Sequence, residues 1–213
     1  MPKLSLVCVS KLEPYSERFL SLMSSWCKQR NAEFVLGVDG SDIQIERAYE
    51  YSSKVVPVKS LGYLESVLDS VVSECSGDYI FRLDDDEFFS STLSEWLSKD
   101  TFRHSLYHFP RANLWGDERH FIVNDGLYPD VQVRFSTKAQ ALGRDKIHCI
   151  SPFGFGQYVQ ARILHYKFLV KSYEERREIA KTYELVRKGA GLGEFKRYSL
   201  PEDVFDNIEV MEK

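Results

Sequence analysis

The sequence predicts an α/β domain with a central, mostly parallel sheet flanked by helices. Two observations carry this. Short apolar runs alternate with apolar residues at 3.6-residue spacing from residue 4 to residue 83, the order in which parallel strands are joined by crossover helices. The chain has 213 residues, 43% apolar, 14% aromatic and 28% charged, with only 12 Gly and 7 Pro. That composition fits one globular unit with a continuous core and excludes a disordered chain.

Leu4 to Val9, bounded by Lys3 and Ser10, is a buried strand. It is too short to cross a bilayer or form a signal-peptide core, so the expectation is a cytoplasmic chain with no transmembrane segment. Phe19, Leu20, Met23, Trp26 and Cys27 form one stripe of a helix with Ser16 as N-cap. Phe34 to Val38 is a second strand, stopped by the turn-forming Asp39-Gly40-Ser41-Asp42, and Lys54 to Val58 is a third. Leu64, Val67, Leu68, Val71, Val72 and Cys75 repeat at helical spacing, with Gly77 as a left-handed stop before the fourth strand, Tyr79 to Leu83. In the second half, Leu106 to Phe109, Val131 to Phe135 and Ile163 to Leu169 read as strands. Ser172 to Arg187 is a helix opened by the capping box Ser172-x-x-Glu175. The tail after Gly189 reads as peripheral.

Cys8, Cys27, Cys75 and Cys149 are scattered without zinc spacing and read as buried thiols in a reducing compartment. Charge is divided unevenly: residues 134 to 213 carry 15 Lys+Arg against 11 Asp+Glu, and residues 1 to 133 carry 13 against 21. Separate handling of a metal and of an anionic partner is one reading of this asymmetry, and ordinary surface variation is the other.

The segment richest in chemistry is the apolar run ending at Leu83, followed at once by Asp84, Asp85, Asp86 and Glu87 and then Phe88-Phe89. On an extended backbone Asp84 and Asp86 project to one side and Asp85 and Glu87 to the other. Two converging carboxylates repel unless a proton or a cation intervenes, and hard oxygen ligands favour Mg²⁺ or Mn²⁺. Ligands of parallel sheets gather beyond the carboxyl ends of the strands, which makes Ser10, Asp39 and the acids neighbours.

Asp84-x-Asp86 after this strand, together with the earlier Val38-Asp39-Gly40-Ser41-Asp42, resembles glycosyltransferase family 2 of the GT-A fold. Further landmarks resemble short members of the lipopolysaccharide-core type: Asp86-Glu87-Phe88, Pro110-Arg111-x-Asn113, Tyr128-Pro129-Asp130-x-Gln132-x-Arg134-Phe135, Ile147-His148 and Leu164-His165-Tyr166. The likeness runs from about residue 3 to residue 187. It implies a single GT-A, Rossmann-like domain over 1–213. A nucleotide-sugar half would occupy about 1–90, an acceptor half about 91–190 and a tail about 190–213.

The resemblance implies that Asp39 contacts the base or ribose of the donor, and that Ser10 and Glu13 occupy the loop beside it. Asp84, Asp86 and His165 would hold Mn²⁺ or Mg²⁺, with Asp85, Arg111 and Arg134 around the donor. Relatives carry His-Glu where this chain has His148-Cys149, which leaves Asp130 or Asp145 as general base beside His148. The activity implied is inverting, metal-dependent transfer of a sugar from a nucleotide-diphosphate donor, a UDP-sugar, to an acceptor hydroxyl. Seven Lys+Arg against Asp145 alone in residues 134 to 171 suit an anionic acceptor such as a lipopolysaccharide core or modified nucleic acid. A non-catalytic binding module on the same fold and a nucleotidyltransferase remain alternatives. A haloacid-type phosphatase does not fit, because its Asp-x-Asp follows the first strand and this one follows the fourth.

Overall fold

The computed structural model describes residues 3–99, 101–123, 127–143, 156–191 and 208–210. The N-terminal part runs β1 (Leu4–Ser10), α1 (Ser16–Arg30), β2 (Glu33–Val38), α2 (Asp42–Ala48), β3 (Lys54–Pro57), α3 (Glu65–Ser73) and β4 (Tyr79–Arg82). It continues with β5 (Glu87–Phe89), α4 (Ser91–Leu97), β6 (Leu106–Asn113), β7 (His120–Ile122), β8 (Asp130–Thr137) and α5 (Lys138–Ala141). The described chain closes with β9 (Gln157–Tyr158), β10 (Ile163–His165), α6 (Lys167–Val170), α7 (Tyr173–Val186) and β11 (Ile208–Val210).

Among the described residues nine strands form one sheet in the order β3-β2-β1-β4-β8-β6-β10-β5, with β9 paired to β6. The first four are parallel, β8 runs against both β4 and β6, and β5 runs against β10. The result is the mostly parallel α/β sheet that strand–helix alternation predicts. Alternating side chains on β1 explain its two covered faces. Leu6 and Cys8 join the large core with Phe19, Leu20 and Met23 of α1, whereas Val7 joins Val71 and Val72 of α3 on the other side.

The sheet has to curl. From Arg82 to Glu87 the chain reaches at most about 18 Å, whereas the four strand spacings separating β4 from β5 come to about 19 Å on a flat sheet. The Glu87 N–H also bonds back to the Asp84 carbonyl at 3.0 Å, which shortens the reach further. Curling therefore brings the far edge of the sheet round beside the end of β4.

Several sequence expectations need correction. Ser16 is the first residue of α1, not its N-cap: Tyr15 holds that place, and Ser16 bonds through both N–H and Oγ to the Glu13 carbonyl. Gly77 is not a left-handed helix stop, since α3 ends at Ser73 with Glu74 as cap. Glycine is needed there for close approach: a Cβ would lie 2.6 Å from the backbone nitrogen of Ser5. Ser41 and Gln44 form a reciprocal capping box, so the turn cluster at residues 39 to 42 starts α2. The stretch read as one strand from Ile163 to Leu169 breaks after His165 into α6. The tail returns, with β11 pairing antiparallel to β7. Cys8, Cys27 and Cys75 are free and buried, as expected; Cys149 lies outside the described residues.

Candidate functional site

A cleft of about 280 Å³ opens at the carboxyl ends of β1, β2 and β4. Ser10, Lys11 and Glu13 form one wall, Asp39 with Ser60, Gly62, Tyr63 and Leu64 another, and Asp84, Asp85 and Asp86 lie together along it. Arg111, His165, Lys167, Lys171, Ile179 and Tyr183 complete it. Asp39 is placed by the β1–β2 pairing, its N–H bonding to the Ser10 carbonyl at 3.0 Å, and its Oδ2 accepts from Ser60 Oγ at 2.5 Å.

The acids sit on a tight turn between β4 and β5, so the two-residue alternation of an extended segment does not apply. Asp84, Asp85 and Asp86 all reach the cleft, and Glu87 alone turns away. Glu87 is fully buried, and its Oε1 accepts from Arg111 Nη1 at 2.8 Å and Arg134 Nη2 at 2.6 Å. Its Oε2 accepts the Asp84 N–H at 3.0 Å and fixes the turn. Glu87 therefore organises the site from below, a role its sequence position does not reveal.

Each acid facing the cleft has its own surroundings. Asp84 Oδ2 accepts from Arg134 Nη2 at 2.5 Å, while its buried Oδ1 has no hydrogen-bond partner among the described residues. Asp85 accepts from Ser10 Oγ at 2.7 Å. Burial, opposed by Lys171 and reinforced by Asp86, pushes its carboxyl up to about 7. Burial also works against the Asp86 carboxylate, yet Lys171 outweighs it and holds this group well below the usual carboxylate range. Lys171 Nζ lies 2.9 Å from Asp86 Oδ2.

His165 enters from β10 and is 1% exposed. Burial first, then Arg111, hold its imidazole down at about 3, so the ring is neutral. Asn113 Nδ2 donates to the Leu127 carbonyl at 2.8 Å, which turns Asn113 Oδ1 to His165 Nδ1 at 2.6 Å. The ring proton is therefore on Nδ1, and Nε2 presents its lone pair 3.4 Å from Asp86 Oδ1. Among the described residues no three His, Cys, Asp or Glu side chains already stand as a metal cluster. The set that could hold a divalent ion is His165 Nε2, the Asp86 carboxylate and Asp84 Oδ1, the last without a hydrogen-bond partner among the described residues. It fits Mn²⁺ or Mg²⁺, which take one or two carboxylates and leave the remaining positions to phosphate oxygens.

Of the residues singled out from sequence, Ser10, Glu13, Asp39, Asp84, Asp85, Asp86, Arg111 and His165 line this one cleft. Arg134 stands behind Asp84 at 4% exposure. Asp130 is gripped at Oδ2 by Arg111 Nε and Nη2, at 2.8 and 2.6 Å, and its Oδ1 accepts from Gln132. Despite burial, Arg111 keeps its carboxyl low. Arg111 and Arg134 thus spend hydrogen bonds on buried acids, where the sequence suggested phosphate or acceptor oxygens. Asp145 and His148 lie outside the described residues. Lys171 and Tyr183 were not singled out as site residues, and Asn113 entered only as part of the landmark Pro110-Arg111-x-Asn113; the signal for Lys171 is that four adjacent acids need cations, which the surplus in residues 134 to 171 supplies. No helix among the described residues is long and apolar enough to cross a membrane.

No protein-family model and no curated protein matches the chain. Solved structures do match in fold. S. aureus TarS superposes with a TM-score of 0.55 at 14% identity, over 85% of this chain and 40% of that one. The mannosyltransferase PcManGT from Pyrobaculum calidifontis, solved with GDP-Man and Mn²⁺, gives 0.52 at 11% identity, over 92% of this chain and 67% of that one. The chain thus spans less than half the length of TarS. At these identities the likeness shows a shared fold: a curled, mostly parallel mixed sheet flanked by helices.

Proposed function

We propose that this chain is an inverting, metal-dependent glycosyltransferase that moves a sugar from a nucleotide-diphosphate donor, a UDP-sugar, to an acceptor hydroxyl. The observation that carries the reading is the acidic turn opening into a cleft at the carboxyl ends of β1, β2 and β4, with Asp39 on an adjoining wall. Its support from outside the chain is that PcManGT, of the same fold, was captured with GDP-Man and Mn²⁺. Asp39, oriented by Ser60, accepts hydrogen bonds from ribose hydroxyls or a base N–H. Asp86 and His165, joined by Asp84, would hold the ion. When bound, the ion offsets the negative charge that develops on the nucleoside diphosphate as the bond to sugar C1 breaks.

Proton removal from the acceptor falls to an acid on the other side of the sugar. Asp145 is our choice over Asp130, because two hydrogen bonds from Arg111 occupy Asp130 Oδ2 and keep its carboxyl low, which weakens it as a base. His148 stands three residues from Asp145 in the chain and joins it in the proposed acceptor side. The surplus of cations in residues 134 to 171 favours an anionic glycan or nucleic acid as acceptor, and transfer should then weaken as salt rises.

The test is UDP release from a panel of UDP-sugars with and without EDTA. Release that stops with EDTA and in Asp86→Ala supports the reading; release that ignores both contradicts it. The engagement of Asp130 with Arg111 favours one second reading, a nucleotide-sugar-binding module without turnover. Calorimetry separates the two: UDP and Mn²⁺ binding with no turnover on any donor selects the module.

A further inference from the structure

We infer that Lys171 is an exchangeable counter-ion, which occupies Asp86 in the ion-free chain and makes divalent-ion binding conditional on the diphosphate that receives its ammonium. The inference rests on the proposed function and concerns the same cleft. Both oxygens of Asp86 face a group already in place: Oδ2 accepts from Lys171 Nζ at 2.9 Å, and Oδ1 lies 3.4 Å from His165 Nε2. The Lys171 side chain is 12% exposed, and its ammonium lies 4.8 Å from the centroid of the Tyr15 ring. It belongs to the wall of the cleft and is not drawn in from solvent.

Its backbone is tied down on both sides. The Lys171 N–H donates to the Lys167 carbonyl at 3.0 Å, and its own carbonyl accepts from Arg176 Nη1 at 2.7 Å. The four-carbon stem is flexible, so the head moves while the Cα stays. A divalent ion on Asp86 and an ammonium at hydrogen-bond distance from the same carboxylate repel each other strongly in this buried setting. The ammonium must therefore leave when the ion arrives. The diphosphate is the anion within the same cleft that takes it up, through a charge-assisted hydrogen bond. Ion and nucleotide then bind cooperatively, each raising the affinity of the other by the same factor.

The experiment measures Mn²⁺ affinity of the full chain by calorimetry, with and without UDP, for wild type, Lys171→Met and Lys171→Gln. A thermal melt of each establishes folding. Two neutral variants are used because Gln still donates a hydrogen bond to Asp86 if Met proves too disruptive. Each neutral variant should bind Mn²⁺ alone about tenfold more tightly than wild type, and the gain in Mn²⁺ affinity conferred by UDP should shrink by about tenfold. An unchanged Mn²⁺ affinity together with an unchanged UDP gain, in folded variants, overturns the exchange and leaves the proposed function standing. Absence of Mn²⁺ binding in wild type and both variants, even with UDP, overturns the proposed function and the inference with it.

Discussion

Asp86 and Glu87 are adjacent carboxylates with opposite tasks. Asp86 faces the cleft, and Glu87 is sunk beneath it between Arg111 and Arg134. Removing one partner of a buried ion pair leaves the others uncompensated, so Glu87→Gln should cost roughly 3 kcal/mol of stability. Urea unfolding checks this; a cost within error of zero would mean that the arginines do not depend on Glu87. His165 gives a second test at this scale. Its imidazole is held by burial, and then by Arg111, at about 3 against an ordinary 6.5. The native chain therefore refuses a proton that the unfolded chain accepts. The contribution is whole above pH 6.5 and is lost as pH falls toward about 3. In EDTA, wild type should lose on the order of 3 kcal/mol relative to His165→Gln between pH 6.5 and about 4; parallel stability profiles would refute it. The acidic cluster and Asp39 are legible in sequence because residue type alone carries their chemistry. Which acid faces the cleft is not legible, because the backbone turns at Asp85 and Asp86 and the alternation of an extended strand fails there.

At the scale of elements, α1 holds the acidic turn's downstream anchor. Trp26 packs its ring edge-on against Phe89 of β5, with centroids 4.8 Å apart, and donates from Nε1 to Ser94 Oγ of α4 at 3.0 Å. Trp26→Ala should destabilise the fold by about 3–5 kcal/mol, seen as a lower urea midpoint with an unchanged slope. A shift of less than 1 kcal/mol would show that β5 and α4 are held by other contacts. Parallel strands and the helices α1, α3 and α7 are readable because apolar periodicity is a local signal, joined at α7 by its capping box. Short elements are harder. The Ser41-x-x-Gln44 signature of α2 was present, but only Ala48 of that helix is buried, so no apolar stripe marks it. The three-residue strands β5 and β10 are defined by whom they pair with across the curled sheet, which no local pattern records.

Taken as a whole, the molecule is a sheet whose curl carries its far edge back to the point where β4 ends. That curl sets His165 of β10 against Asp86, two residues 79 positions apart in the chain. No spacing rule predicts such a meeting; only the resemblance suggested His165. The acidic N-terminal part and the basic stretch after residue 134 meet in the same way, through Lys171 and Arg134 on the acids. The proposed chemistry depends on a cation held between Asp86 and a diphosphate. Anomalous diffraction from crystals grown with Mn²⁺ and UDP measures this directly. The expected result is an anomalous peak in contact with Asp86 and His165 on one side and the diphosphate oxygens on the other. A nucleotide bound with no such peak, or a peak remote from Asp86, would contradict it.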